Sequence, residues 1–103
     1  MTWYPVATTN DFITERVKTI FLHDVKILLI HLNNRYYAIE DLCTHDGGDL
    51  SGGEIEGNEI ICPRHGARFC ITTGEALTPP AYEDIETFPL KIEGDIILIE
   101  SEG

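Results

Sequence analysis

Basic residues are scarce in this sequence: seven Lys and Arg stand against eighteen Asp and Glu, a net charge of −11 at pH 7. That balance excludes the basic footprint a nucleic-acid partner requires. It fits instead a soluble protein that meets a basic partner surface. Long apolar runs are missing too. The longest, Ile27-Leu28-Leu29-Ile30 and Ile96-Ile97-Leu98-Ile99, fall far short of the roughly 20 residues that cross a bilayer, so no membrane partner is expected. Met1-Thr2-Trp3-Tyr4-Pro5 has neither the basic nor the apolar region of a secretory leader, and a cytoplasmic protein is expected. With three cysteines in such a chain, metal or redox use comes before a disulfide framework. No amphipathic pattern extends over ten residues or more. Asn10 to Glu15 predicts a single helical turn, capped by Asn10 or Asp11.

What the sequence does contain is short β-type segments punctuated by turn residues. Arg16 to Phe21 and Val25 to Leu32 flank His23-Asp24. Asn33-Asn34 leads into Tyr36 to Ile39, a hairpin signal because asparagine tolerates positive φ. Glu54 to Glu56 and Glu59 to Ile61 flank Gly57-Asn58, and Arg68 to Ile71 precedes Thr73-Gly74. Phe88 to Ile92 and Ile96 to Glu100 flank Glu93-Gly94-Asp95. The chain of 103 residues, 43% hydrophobic and 24% charged, reads as one all-β domain spanning 1–103, an antiparallel sandwich or small barrel. Leu77-Thr78-Pro79-Pro80-Ala81 reads as a rigid loop, since prolines cannot donate to a sheet.

The chemistry concentrates in Cys43-Thr44-His45 and Cys62-Pro63-Arg64-His65. Each half offers one thiol and one imidazole in a loop just after a predicted strand, and the sixteen residues between His45 and Cys62 contain a predicted hairpin. A hairpin brings its ends together, so both loops can grip one metal centre. Two thiolates and two imidazoles suit zinc or an iron–sulfur cluster. Three features favour the cluster. The Cys-x-His spacing is tighter than structural zinc sites use. Each loop mixes a thiolate with an imidazole instead of grouping like with like. Gly47, Gly48, Gly52, Gly53 and Gly66 let backbone N–H groups approach bridging sulfides, which zinc does not have.

Cys43-Thr44-His45 with Cys62-Pro63-Arg64-His65-Gly66 resembles the motif of Rieske [2Fe–2S] proteins. The likeness runs from Trp3 to Ile99 and is strongest to the soluble ferredoxins of aromatic-ring dioxygenase systems, which the segment Arg68-Phe69-Cys70-Ile71-Thr72-Thr73-Gly74 and the Pro79-Pro80 loop of this chain also resemble. The resemblance implies a Rieske-type fold whose cluster-binding part spans about 41–82. It implies Cys43 and Cys62 on an inner iron, His45 and His65 on an outer one, and a proline loop that covers the cluster. It also implies a monomeric one-electron carrier without catalysis of its own, fed by a flavin-dependent reductase and feeding a Rieske oxygenase. Other readings are a Rieske-like small subunit of a nitrite reductase, an accessory ferredoxin of iron–sulfur cluster assembly, and a zinc-stapled binding module.

Departures from the high-potential members of that family carry an expectation of their own. Where those have a disulfide between the loops, this chain has Gly48 and Arg64. Where they have hydroxyls that bond the cluster sulfurs, it has Ala67 and Phe69. Fewer donors and a net charge of −11 disfavour an added electron, which sets the expected potential at about −150 mV, low in the Rieske range. Cys70 reads as a buried structural thiol, and His23 and His31 as histidines outside the ligand set. Trp3, Tyr36, Tyr37 and Phe88 read as core or core rim. Asp46 and Asp49 flank a ligand loop, where they could orient a basic partner.

Overall fold

The computed structural model describes residues 2–101, and strands carry nearly all of its regular structure. Strands β2 (Val17–Leu22), β3 (Val25–Leu32) and β4 (Arg35–Glu40) form consecutive antiparallel hairpins. Both connections are two-residue turns with positive φ at His23 and Asp24 and at Asn33 and Asn34, the geometry that matches strand twist in a tight hairpin. A smaller sheet follows in β5 (Ile55–Glu56), β6 (Glu59–Ile61) and β7 (Arg68–Cys70), paired in that order. The chain then returns. β8 (Thr87–Phe88) joins β4, while β10 (Ile96–Ser101) pairs with the first strand, β1 (Thr2–Thr8), on one side and with β9 (Leu90–Glu93) on the other.

The hairpins predicted from the sequence are present, and three expectations are corrected. The helical turn lies at Thr9–Phe12, capped by Thr8, whose N–H donates to Asp11 Oδ2 at 3.0 Å. Phe12, buried beside His31 and Tyr36, holds the turn there. The predicted strand Phe88 to Ile92 is two strands in different sheets. They divide at Pro89, which has no N–H for a ladder and accepts from Glu100 through its carbonyl. Cys70 is half-exposed, not buried. Its neighbours Phe69 and Ile71 take the inward positions, so the period of two turns Cys70 outward, where its sulfur meets Thr72 Oγ1 at 3.2 Å.

Two buried clusters lie on opposite faces of β3. Ile27 and Leu29 join Phe12, Ala38, Ile97 and Ile99 against the β1–β10–β9 sheet. Leu28, Ile30 and Leu32 join Ile39, Leu50, Ile60, Phe69 and Ile71, and this second cluster includes Cys43 and Cys62. Burying each such aliphatic side chain contributes about 1.5–3 kcal/mol. The ligand-bearing loops therefore sit on an apolar floor continuous with the central sheet.

Candidate metal centre

Loop 1 leaves the end of β4 and loop 2 the end of β6, and the two are built alike. In loop 1 the Cys43 N–H donates to the Gly48 carbonyl at 2.7 Å and the Gly47 N–H to the Cys43 carbonyl at 2.8 Å. In loop 2 the Cys62 N–H donates to the Ala67 carbonyl at 2.7 Å and the Gly66 N–H to the Cys62 carbonyl at 3.0 Å. Gly47 and Gly66 both have φ of +74°, a left-handed conformation that glycine adopts without steric cost. One turn design thus presents a Cys and a His twice.

The two loops pair the predicted thiols with each other and the predicted imidazoles with each other. Cys43 and Cys62 are 0% and 1% exposed. Their sulfurs and a carboxylate oxygen of Asp46 lie within 4.8 Å of one another. His45 and His65 are exposed, with ring centroids 5.2 Å apart and planes at 88°. The thiols therefore face the apolar floor and the imidazoles face solvent. His23 lies against Tyr4, and His31 stacks on Tyr36 at 4.4 Å, so neither joins this set.

Supporting residues that the sequence did not reveal fix loop 1. Asp41, 4% exposed, accepts the N–H groups of Leu50 at 2.7 Å and Ser51 at 2.9 Å through Oδ1. Lys26 stands 3.7 Å from Asp41 Oδ2 and 2.7 Å from Asp49. Thr44 Oγ1 donates to the Glu83 carbonyl at 2.7 Å, which ties loop 1 to the segment that follows Pro79-Pro80. The only signal in the sequence was the position of Asp41, between an apolar strand and Cys43.

Asp46 and Asp49, expected to help orient a basic partner, are both exposed and each is in an ion pair within the chain. Asp49 is held by Lys26. Asp46 accepts from Arg64 Nε at 2.5 Å and Nη2 at 3.0 Å, and from the Gly48 N–H at 2.9 Å. The guanidinium and that N–H hold the Asp46 carboxyl well below the usual carboxylate range, and the carboxylate in turn raises Arg64. Burial, with the Cys62 thiol alongside, pushes the Cys43 thiol up. Burial acts the same way at Cys62, but the loop N–H groups of Arg64 and His65 and the Arg64 charge hold it below the ordinary thiol value.

This donor set fits a [2Fe–2S] centre of mixed ligation. Two soft thiols sit inside, one of them biased toward thiolate, and two borderline imidazoles sit outside on matched loops. Arg64 and Gly48 engage both oxygens of Asp46, the carboxylate beside the two sulfurs.

Comparison with known proteins agrees with this geometry. Residues 2–89 match the Rieske [2Fe-2S] domain. The ferredoxin component of the naphthalene 1,2-dioxygenase/salicylate 5-hydroxylase systems of Ralstonia sp is 36% identical over 100 residues, covering 97% of this chain and 96% of that one. The ferredoxin component of a naphthalene 1,2-dioxygenase system from Pseudomonas aeruginosa is 41% identical over 98 residues, covering 95% and 94%. Among solved structures, the ferredoxin of carbazole 1,9a-dioxygenase from Nocardioides aromaticivorans IC177 superposes with a TM-score of 0.88 at 25% identity, covering 96% and 97%. Twin Cys-and-His turns on an apolar floor and a family match across most of the sequence lead to one assignment: the chain belongs to the Rieske [2Fe-2S] domain family.

Proposed function

We propose that this protein is a one-electron carrier in which Cys43 and Cys62 hold the inner iron of a Rieske cluster and His45 and His65 the outer. It takes electrons from a flavin-dependent reductase and passes them to a terminal Rieske oxygenase. When bound, the cluster supplies a reversible one-electron couple. The observation that carries the reading is the polarity of the site. The buried thiols keep water from the inner side, while the exposed imidazoles form the short path to a docked partner. The relatives named above as ferredoxin components of aromatic dioxygenase systems support the choice of partners.

Among the described residues no second group of two histidines and a carboxylate comes together. A catalytic iron needs such a group, and His23 and His31 sit against different aromatic rings instead. No observation favours a nitrite reductase subunit, a cluster-assembly ferredoxin or a zinc-stapled module. We place the carrier in the cytoplasm as one domain, 1–103. All three cysteines are unbridged, with Cys70 half-exposed, as a reducing compartment allows, and no helix among the described residues is long and apolar enough to cross a membrane. The ties of Asp41 to Lys26 and Thr44 to Glu83 join the cluster-binding part, about 41–82, to the rest.

The test is anaerobic purification followed by visible absorption, sulfide assay, magnetic resonance after dithionite, and reconstitution with reductase and oxygenase components. Red-brown, sulfide-containing protein that turns paramagnetic on reduction and speeds electron flow between the two is expected. Pale protein without sulfide refutes the ligand assignment. Loaded protein that neither component reduces or oxidises refutes the partner assignment.

A further inference from the structure

Arg64 occupies the space between the two loops. Its Nη2 donates to Cys62 Sγ at 3.4 Å, while Nε and Nη2 bind Asp46 of the opposite loop. A Cβ placed on Gly48 would lie 2.6 Å from the Arg64 Cζ, so the guanidinium lies directly over a residue kept free of a side chain. Arg64 stands at one of the two positions that a disulfide joins in high-potential members of the family, and here it reaches the opposite loop through Asp46 instead. Asp46 Oδ2 also lies 4.0 Å from His65 Nε2, so the carboxylate faces one edge of the site and the guanidinium the other.

We infer that Arg64 is a positioning residue that fastens loop 2 to loop 1 through Asp46 and raises the electron affinity of the centre through Cys62 Sγ. The inference rests on the ligand reading of the preceding subsection. A planar guanidinium held by both oxygens of a carboxylate is a directional, charge-assisted contact, stronger than a single neutral hydrogen bond. It opposes separation of the loops that carry the four ligands. Reduction adds negative charge, and a cationic N–H donor on a ligand sulfur stabilises the reduced form. Asp46 acts with the opposite sign, since a carboxylate beside the site opposes the added electron. The two partners therefore hold the loops jointly but bias the electron in opposite directions, which a purely structural role would not do.

The experiment compares loaded wild type, Arg64→Met and Asp46→Asn by redox titration and by the rate of iron release to a ferrous chelator. Arg64→Met is expected to lower electron affinity about tenfold, a shift of about 59 mV to more negative potential for one electron. Asp46→Asn is expected to raise it by a similar factor, and both variants are expected to release iron at least about threefold faster, as loss of a fork contact between loops predicts. Potentials that move in the same direction, shifts below about threefold in electron affinity, or iron release at the wild-type rate overturn the inference. Wild type without sulfide overturns the ligand reading and this inference with it. Loaded wild type whose two variants shift together overturns the inference alone.

Discussion

Replacing Asp41 by alanine removes the residue that closes loop 1 without touching a ligand. Its Oδ1 accepts two backbone N–H groups, from Leu50 and Ser51, and Leu50 is 0% exposed. Hydrogen bonds to a charged group contribute about 1.5–3 kcal/mol, and a buried donor left without a partner costs about 1–3 kcal/mol. The Ser51 N–H is only partly buried, so water offsets part of its loss, and a total near 3 kcal/mol follows. For a domain of this size each kcal/mol shifts Tm by about 4–8 °C, which gives a drop of about 15 °C. Asp41→Asn keeps an acceptor at Oδ1 but loses the charge and turns an amide N–H2 toward Lys26, so it should cost about 1 kcal/mol. Hydrogen exchange read by mass spectrometry gives a local check. Protection of the Leu50 amide should fall about 100-fold in Asp41→Ala, at tenfold per 1.4 kcal/mol. It should fall less than about tenfold in Asp41→Asn. Refutation would be an Asn variant as damaged as the Ala variant, or an Ala variant within about 1 kcal/mol of wild type.

Other outcomes follow from the same geometry. Cys62→Ser should abolish the visible spectrum while Cys70→Ser, altered at a half-exposed sulfur bonded to Thr72, should leave it intact; equal loss in both would contradict the ligand set. The reduction potential should fall near −150 mV, and a value above about +100 mV would defeat the reasoning from sulfur donors and charge. Phe69→Ala, at a 0% exposed position beneath the loops, should cost about 3–5 kcal/mol in chemical denaturation. Burial, together with the charge of Glu86, holds the Glu40 carboxyl above its ordinary value. A raised carboxylate costs stability as pH climbs through that value, because the folded state then carries a charge it disfavours. Glu40→Gln should therefore raise Tm at pH 8, and the gain should vanish below about pH 4.5, the ordinary value; a gain that persists in acid would show another cause.

The hairpins were legible because their turns are local. Asn33-Asn34 and Gly57-Asn58 carry the residues that accept positive φ, and each joins strands adjacent in sequence. β1 was not legible. It contains Pro5, lacks clean alternation, and pairs with β10 across nearly the full chain, with an irregularity between Pro5 and Ala7. The four candidate ligands could be found because metal chemistry fixes residue type and spacing together. Their supports could not, since Asp41, Lys26 and the Asp46–Arg64 pair acquire meaning only when strands and loops distant in sequence meet. Asp46 illustrates the difference: its neighbours in sequence suggested a partner-facing charge, while its neighbour in space is Arg64.

The central strand β3 is apolar on both sides, so displacing it by one residue would exchange one greasy face for another with little loss of buried area. Hydrophobicity alone cannot fix its alignment with β2 and β4. That duty falls to the tight bends at either end, His23-Asp24 and Asn33-Asn34, whose left-handed backbones act as indexing stops. Lengthening either bend by one residue endangers the native alignment more than trimming a methyl group from the strand between them, because a slip would carry Lys26 away from Asp41 and unseat the first loop.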